Sequence, residues 1–464
     1  MRYGVASGAP HVEGRAGRGL SVWDAFAAAP GRIADGTAPD PAIGIGQGAG
    51  DLDLLADLGV DAYRFSVSWP RVQPGGSGPA DAGALDGYDA LVDGLLARGI
   101  RPWVALYRWD LPLELMLDGG WLLRDTAERF GEYAALVADR LGDRAEAWVT
   151  LDDPFSHMAL GHAVGVDAPG LTLLGGAFQV THHLLLGHAR AVAALRARGA
   201  GTVGLVNNHT TVRPASSSGA DRWAAGFYDA YHSHQFADPV LLGRYPARLA
   251  GLPGVPDDLI ADGDLTAIAA PLDFYGVTYE HPVVVAAAPE NRSVPLSLVP
   301  MDGVPRSATD LPIHPPALER TLLDLRDRYP RLPPVFVSAT GGAFDDADTV
   351  ADVQATTAAD ADADTHAGGP DRDRVEFLDG HLAAVRRAAA AGVPVGGYFH
   401  WSLLDGWEGS AGRSARTGLV RVDPGAPERQ RRASFDHFRS LIAAAADDRL
   451  EPSPAAGPRT PDSG

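Results

Sequence analysis

Short runs of apolar and β-branched residues, each closed by turn-forming residues, recur along this chain and alternate with longer stretches whose apolar positions return every three or four residues. Such short, continuous runs suit strands covered on both faces, and the longer stretches suit helices that bury one stripe. Eight strands are predicted, beginning near Tyr3–Ser7, Ala62–Ser66, Pro102–Leu106, Ala147–Thr150, Thr202–Asn207, Phe274–Val277, Pro334–Ser338 and Gly397–His400. The helices between them are clearest at Ala84–Arg98, Thr126–Leu141, Ala177–Arg198, Ala317–Arg328 and Arg374–Ala391. Eight alternations of strand and helix predict a parallel sheet closed on itself, a single-domain (β/α)8 barrel over residues 1–446.

A barrel of this kind carries its chemistry on the loops that leave the C-terminal ends of the strands. These loops are Tyr107–Asp110, Leu151–Pro154, Tyr279–His281, Ala339–Gly342 and Trp401–Gly409. The Ala-Asp run within Ala351–His366 reads as a solvated insert after the seventh strand, and residues 447–464, rich in Pro, Ser and Gly, as a disordered tail. Gly44-Ile45-Gly46-Gln47-Gly48 has no P-loop lysine and no preceding strand, so it is not a phosphate cradle. His182 and His183 are neighbours on a predicted helix, where their side chains diverge by about 100°, and no third ligand stands at suitable spacing. No metal and no cofactor are expected.

Composition narrows the picture further. The formal charge of -20 arises from 59 acidic and 39 basic residues, all of the latter arginine, and such a surface repels nucleic acid and anionic membranes. The Arg-only, Ala- and Gly-rich usage matches a GC-rich bacterial genome. Absence of cysteine excludes disulfides, thiolate metal sites and thiol nucleophiles. The N-terminus lacks the apolar segment of a secretory signal, and no run approaches membrane-spanning length, so a cytoplasmic protein with a small-molecule substrate is expected. Oligomeric state is left open.

Several segments carry a more specific message. Ala62-Tyr63-Arg64-Phe65-Ser66-Val67-Ser68-Trp69-Pro70-Arg71, Tyr107-Arg108-Trp109-Asp110-Leu111-Pro112, Gly119-Gly120-Trp121 and Trp401-Ser402-Leu403-Leu404-Asp405 resemble, in order, the signatures of family 1 glycoside hydrolases, the β-glucosidase family. The resemblance runs from about Tyr3 to His437 and implies a TIM barrel. It also implies two carboxylic groups about 5–5.5 Å apart, a nucleophile and an acid/base, as retaining glycosidases require.

At both places the sequence departs from the family pattern. Thr150-Leu151-Asp152-Asp153-Pro154 aligns Asp153 with the acid/base Glu and Asp152 with its Asn neighbour, whereas Val337-Ser338-Ala339-Thr340-Gly341-Gly342 aligns Ala339 with the nucleophile. Taken alone, Asp153 before Pro154 is a helix N-cap with proline in the first helical position. His11 stands at a sugar-gripping Gln, Arg108 at a His, Thr278 at an Asn and Glu280 at a Tyr, while Gly409 and Thr417 replace a Trp and a Phe. Arg64, Trp109, Tyr279, Trp401 and Glu408 remain at matching positions, and with Arg108 and Thr340 they form the expected substrate-binding set.

Loss of the nucleophile beside a gain of ionisable groups predicts a repurposed, β-glucosidase-like enzyme of bacterial specialised metabolism. It would carry out non-hydrolytic acid/base chemistry, such as cyclisation, dehydration, addition or rearrangement, on a polyol or polyketide-like molecule. Asp153 is the expected proton donor, Glu280, Asp152 or His11 the base, and Arg108 the partner of an oxyanion or carboxylate. Two alternatives stand beside it: an inverting or substrate-assisted β-glycosidase, and a non-catalytic glycoside-binding pseudoenzyme.

Overall fold

Each of the eight predicted runs forms a strand, and all eight belong to one sheet. The computed structural model describes residues 1–39, 49–291, 294–346, 371–423 and 428–450. The strands are β1 (Arg2–Ala6), β2 (Ala62–Ser66), β3 (Arg101–Ala105), β4 (Ala147–Asp152), β5 (Val203–Asn208), β6 (Phe274–Thr278), β7 (Val335–Thr340) and β8 (Val395–Trp401). Each pairs in parallel with its neighbour in this order, and β1 pairs with both β2 and β8, which closes the ring. The architecture is a (β/α)8 TIM barrel.

The five predicted helices are found at Ala82–Leu96, Asp125–Leu141, Phe178–Ala197, Pro315–Arg328 and Arg372–Ala390. Asp125–Leu141 shows why such segments are helical: Phe130, Tyr133, Val137 and Leu141 fall on one buried face, with Asp125 and Glu128 in the first turn and Arg140 in the last. These charges oppose the helix dipole at both ends. The insert at 351–366 and the glycine-rich 44–48 lie outside the described residues, as does the tail from 451 onward; the final helix, Ala433–Leu450, carries the backbone past 446. A small side sheet of Val212–Pro214, Val283–Ala287 and Leu296–Val299 was not predicted. Among the described residues no helix is long and apolar enough to cross a membrane.

The lower half of the barrel is plugged by aromatic rings. Trp103 on β3 lies with its ring centroid 5.0, 4.7 and 5.0 Å from those of Phe274, Phe336 and Phe399, which come from β6, β7 and β8. Glycines on the strands make room for them: a Cβ on Gly204 would stand 2.6 Å from Phe274, and one on Gly397 2.8 Å from Phe336. Rings of this size exclude water from that part of the barrel interior.

Candidate active site

β4 ends at Asp152, and the chain then turns through Asp153 with φ 58°, a left-handed conformation that Asp adopts more readily than most residues. Asp153 is the N-cap of the turn Pro154–Ser156, its Oδ1 accepting the Ser156 N–H at 3.2 Å, with Pro154 at the first helical position. The cap does not consume the carboxylate, because Oδ2 lies 3.5 Å from Arg108 Nη1. Asp152 is held differently. Arg64 Nη1 donates to its Oδ2, Arg108 Nη1 lies 3.7 Å from its Oδ1, and the Arg64 and Asp152 side chains are wholly buried.

Arg108 also spreads over Trp401, its guanidinium carbon 4.8 Å from the ring centroid, where the cation meets the negative face of the indole. Trp401 closes β8 and donates from Nε1 to Glu408 Oε1 at 3.3 Å; Thr417 Oγ1 donates to the same oxygen at 3.1 Å. His11 Nδ1 is 3.2 Å from Glu408 Oε2, and its ring stands edge-on to Trp401 at 4.9 Å. Burial pushes the Glu408 carboxyl upward, but His11, Arg108 and the Thr417 hydroxyl together hold it below its usual range.

Glu280 follows β6 and is open to the water of the pocket, although protein surrounds it on most sides. That surrounding burial, reinforced by the charge of Asp153 and opposed by Arg108, pushes its carboxyl up to about 7. The Asp153 carboxyl is raised as well, by burial that outweighs Arg108 and the Ser156 hydrogen bond. The charge of each carboxyl disfavours ionisation of the other, and Arg108 opposes this at both.

The remaining predicted residues divide by role. Thr340, with Thr278, lines the pocket with a buried hydroxyl that has no hydrogen-bond partner, and Ala339 presents a methyl group to the same cavity of about 260 Å³. Tyr279 also borders the cavity, but its hydroxyl donates to the His314 carbonyl at 3.1 Å and its N–H to the Ala339 carbonyl at 3.0 Å. Trp109 sits farther back: its Nε1 donates to the Ala168 carbonyl at 2.7 Å and its ring packs against Trp23 and His157.

Two further residues join the site without having been anticipated. Asp167, buried and raised in pKa by that burial, accepts the Ser410 N–H at 3.2 Å and adds its charge to the field at Glu280. Nothing in its loop sequence marks it. Asn208 ends β5 and donates to the Ser156 hydroxyl at 3.4 Å while its carbonyl faces His232 Nε2 at 3.1 Å, so it braces the turn that Asp153 caps. A polar residue closing an apolar strand was the available signal.

Among the described residues no group of three or more His, Asp or Glu side chains is arranged to hold a metal ion. His182 instead hydrogen-bonds Tyr245 and Asp264, and His183 the Trp121 carbonyl.

A carboxylate-rich pocket at the C-terminal mouth of a (β/α)8 barrel is a common setting for acid/base chemistry on small molecules. The family described as Glycosyl hydrolase family 1 matches residues 1–446. Beta-glucosidase A of Thermotoga maritima is 34% identical over 429 residues, covering 91% of this chain and 92% of that protein. Thermostable beta-glucosidase B of Thermobispora bispora is 39% identical over 455 residues, covering 95% and 89%. The solved structure of a Thermotoga maritima beta-glucosidase in complex with deoxynojirimycin superimposes with a TM-score of 0.84 at 32% identity, covering 97% of this chain and 98% of that one. The chain belongs to glycosyl hydrolase family 1, and it is an enzyme of that family.

This finding corrects the functional expectation drawn from sequence. A cyclase-like or otherwise non-hydrolytic biosynthetic enzyme acting on a polyketide-like molecule is overturned, as is a pseudo-glycosidase that only binds, because relatives so similar over so much of the chain are named beta-glucosidases. The physical reason is that the replaced positions were given too much weight. The mouth still assembles two carboxyls with raised pKa values around a buried arginine, and glycoside hydrolysis draws on such groups.

Proposed function

We propose that the protein hydrolyses β-glycosides, glucosides among them, by a single displacement in which water attacks the anomeric carbon directly. This reading takes Ala339 as standing at the nucleophile position and Asp153 at the acid/base position, and a methyl group cannot form a glycosyl ester. In this reading Asp153 protonates the departing oxygen, and Glu280 takes a proton from a water lying beside Ala339. Arg108 keeps the two carboxyls from being protonated together. Asp152, fixed between Arg64 and Arg108, holds those cations in place. His11, Glu408, Thr340 and Trp401 grip the sugar.

The observation that carries the proposal is a pair of raised carboxyls that both sense Arg108: Glu280, which lines the pocket together with Arg108 and Ala339, and Asp153, whose Oδ2 lies 3.5 Å from Arg108 Nη1. A general base works best with a pKa near the working pH, and about 7 suits one. The test is proton NMR of 4-nitrophenyl β-D-glucopyranoside turned over by the purified protein. α-Glucose as the first-formed sugar supports direct displacement by water. β-Glucose as the first product shows retention and rules it out, and absence of any release of nitrophenol removes the hydrolytic reading itself.

A further inference from the structure

Phe155, in the turn that Asp153 caps, is covered by a ring from a distant part of the chain. The imidazole of His232 lies on it with ring centroids 3.8 Å apart and planes 32° from parallel, a spacing that leaves no room for water. Both residues are buried. The imidazole is also held at its edge. Asn208 turns its amide N–H toward the Ser156 hydroxyl at 3.4 Å, which leaves its carbonyl oxygen facing His232 Nε2 at 3.1 Å. An amide oxygen only accepts, so Nε2 carries the hydrogen. Burial holds the imidazole well below its usual pKa and keeps it neutral, so Nδ1 is bare. Nδ1 is buried without a hydrogen-bond partner, and the ring's polar anchoring therefore goes to Asn208 alone.

The backbone that presents His232 is unusual. Ala230–His234 is a π-helical turn between the helices Gly219–Asp229 and Gln235–Leu242, and the Gln235 N–H reaches back five residues to the Ala230 carbonyl. Such a turn holds one residue more than an α-helical one, which rotates the side chains on its two sides against each other by about 100°. A second π-helical stretch, His157–Ala163, begins directly after the acid's turn. These turns are rare and gather at functional sites, and two of them meet the same three-residue turn here. The Asp153 N–H is itself tied to the Val206 carbonyl of β5 at 2.9 Å, so the backbone is anchored on one side and His232 completes the hold on the other. Tyr228, one turn earlier on the same helix, packs 5.7 Å from His232, and burial followed by the charge of Glu280 raises its hydroxyl pKa.

We propose that His232 is a positioning residue for the proton donor: from its π-helical turn it fixes, through Phe155 and Asn208, the direction in which the Asp153 carboxyl faces. This deepens the hydrolytic reading above and rests on it for the role of Asp153. His232 touches no reacting atom and moves no proton. It meets the acid's turn twice, at Phe155 with its face and at Ser156 by way of Asn208, so the turn can neither swing nor tilt without breaking one of the two contacts. A displacement of about 1 Å in a reacting group can cost on the order of a hundredfold in rate, so the hold is read in turnover.

The experiment measures kcat and KM on 4-nitrophenyl β-D-glucopyranoside for His232→Leu, which loses both contacts, His232→Phe, which keeps the ring, and His232→Gln, which keeps an N–H for Asn208. Carboxyl carbon-13 NMR of the same proteins follows the titration of Asp153, its signal identified by its absence in Asp153→Asn. In His232→Leu, kcat should fall about tenfold to a hundredfold with KM little changed. The Asp153 titration should move down toward the ordinary carboxylate range, because burial is what raises it and a loosened turn admits water. His232→Phe and His232→Gln should each recover part of both changes. Parental kcat in all three variants, a loss that neither conservative variant recovers, or an Asp153 titration that does not fall overturns the proposal. If His232→Leu does not fold, the other two decide by the same signs at smaller size. If the parent protein releases no nitrophenol, the hydrolytic reading fails separately and the NMR decides the positioning alone, a fall in the titration upholding it and an unmoved one removing it.

Discussion

The two halves of the barrel interior follow opposite rules. Below, Trp103, Phe274, Phe336 and Phe399 satisfy one another by contact, and glycines at Gly204 and Gly397 are small because the rings need the space. Above, the side chains are left with unmet demands: Arg64 Nε and Nη2, Arg108 Nε, and the hydroxyls of Thr278, Ser338 and Thr340 are buried without hydrogen-bond partners. Unsatisfied buried groups cost stability, and although Trp103 Nε1 in the plug lacks a hydrogen-bond partner too, the upper half gathers two guanidiniums and three hydroxyls of this kind. The difference teaches that the floor should respond to mutation through stability and the mouth through catalysis.

The largest expected effect tests the mouth. Asp153→Asn should lower kcat by about 10²- to 10⁴-fold, the usual span for removing a general acid, while thermal unfolding stays near that of the parent protein. Steady-state kinetics on an aryl β-glucoside beside calorimetry reads both quantities, and a large drop in melting temperature would blur the contrast between halves. Trp103→Ala should do the reverse, costing about 3–5 kcal/mol of folding stability through the cavity it leaves, measured by denaturant titration. Arg64→Met, though at the mouth, should also cost stability, up to about 3–5 kcal/mol, because it leaves the buried Asp152 with Arg108, 3.7 Å away, as its remaining cation. A small loss there would show the pair to be dispensable for folding.

A subtler effect concerns pH. The reaction needs Glu280 ionised and Asp153 protonated at once, so kcat/KM should be bell-shaped in pH, with Glu280, its carboxyl raised to about 7, titrating one limb. Glu280→Gln should remove that limb together with most of the rate. Because the folded-state pKa is raised, the associated stabilisation is complete below about 4.5 and is lost as pH rises through 7; melting temperatures of Glu280→Gln should lack this decline. The smallest effect separates the two oxygens of Asp153. Asn keeps the cap and tolerates positive φ, whereas Asp153→Ala should be less stable than Asp153→Asn by about 1 kcal/mol.

The barrel was legible in the sequence because its strands are buried on both faces and write themselves as continuous apolar runs, from Tyr3 near the start to Gly397–His400 near the end. Helices such as Asp125–Leu141 were legible for the complementary reason, a stripe with a polar back. The side sheet through Val283–Ala287 escaped because its strands are short and only partly buried. At the site, motif positions located Arg64, Arg108, Asp152, Asp153, Trp401 and Glu408 at one mouth. Asp167 could not be found the same way: it reaches the site through Ser410, 243 residues distant in sequence, and no local pattern records such a meeting. The functional expectation failed at the point where absent groups were weighed above those retained.

One detail of the turn after β4 reaches further than its size suggests. A carboxylic acid carries its proton on one oxygen, and Asp153 Oδ1 is already committed to accepting the Ser156 N–H. Oδ2 faces a donor as well, the Arg108 guanidinium at 3.5 Å, so a proton on either oxygen must give up a favourable contact. A helix end three residues long thus fixes which way each oxygen of the carboxyl faces, a matter of aim that neither the residue's identity nor its pKa would set.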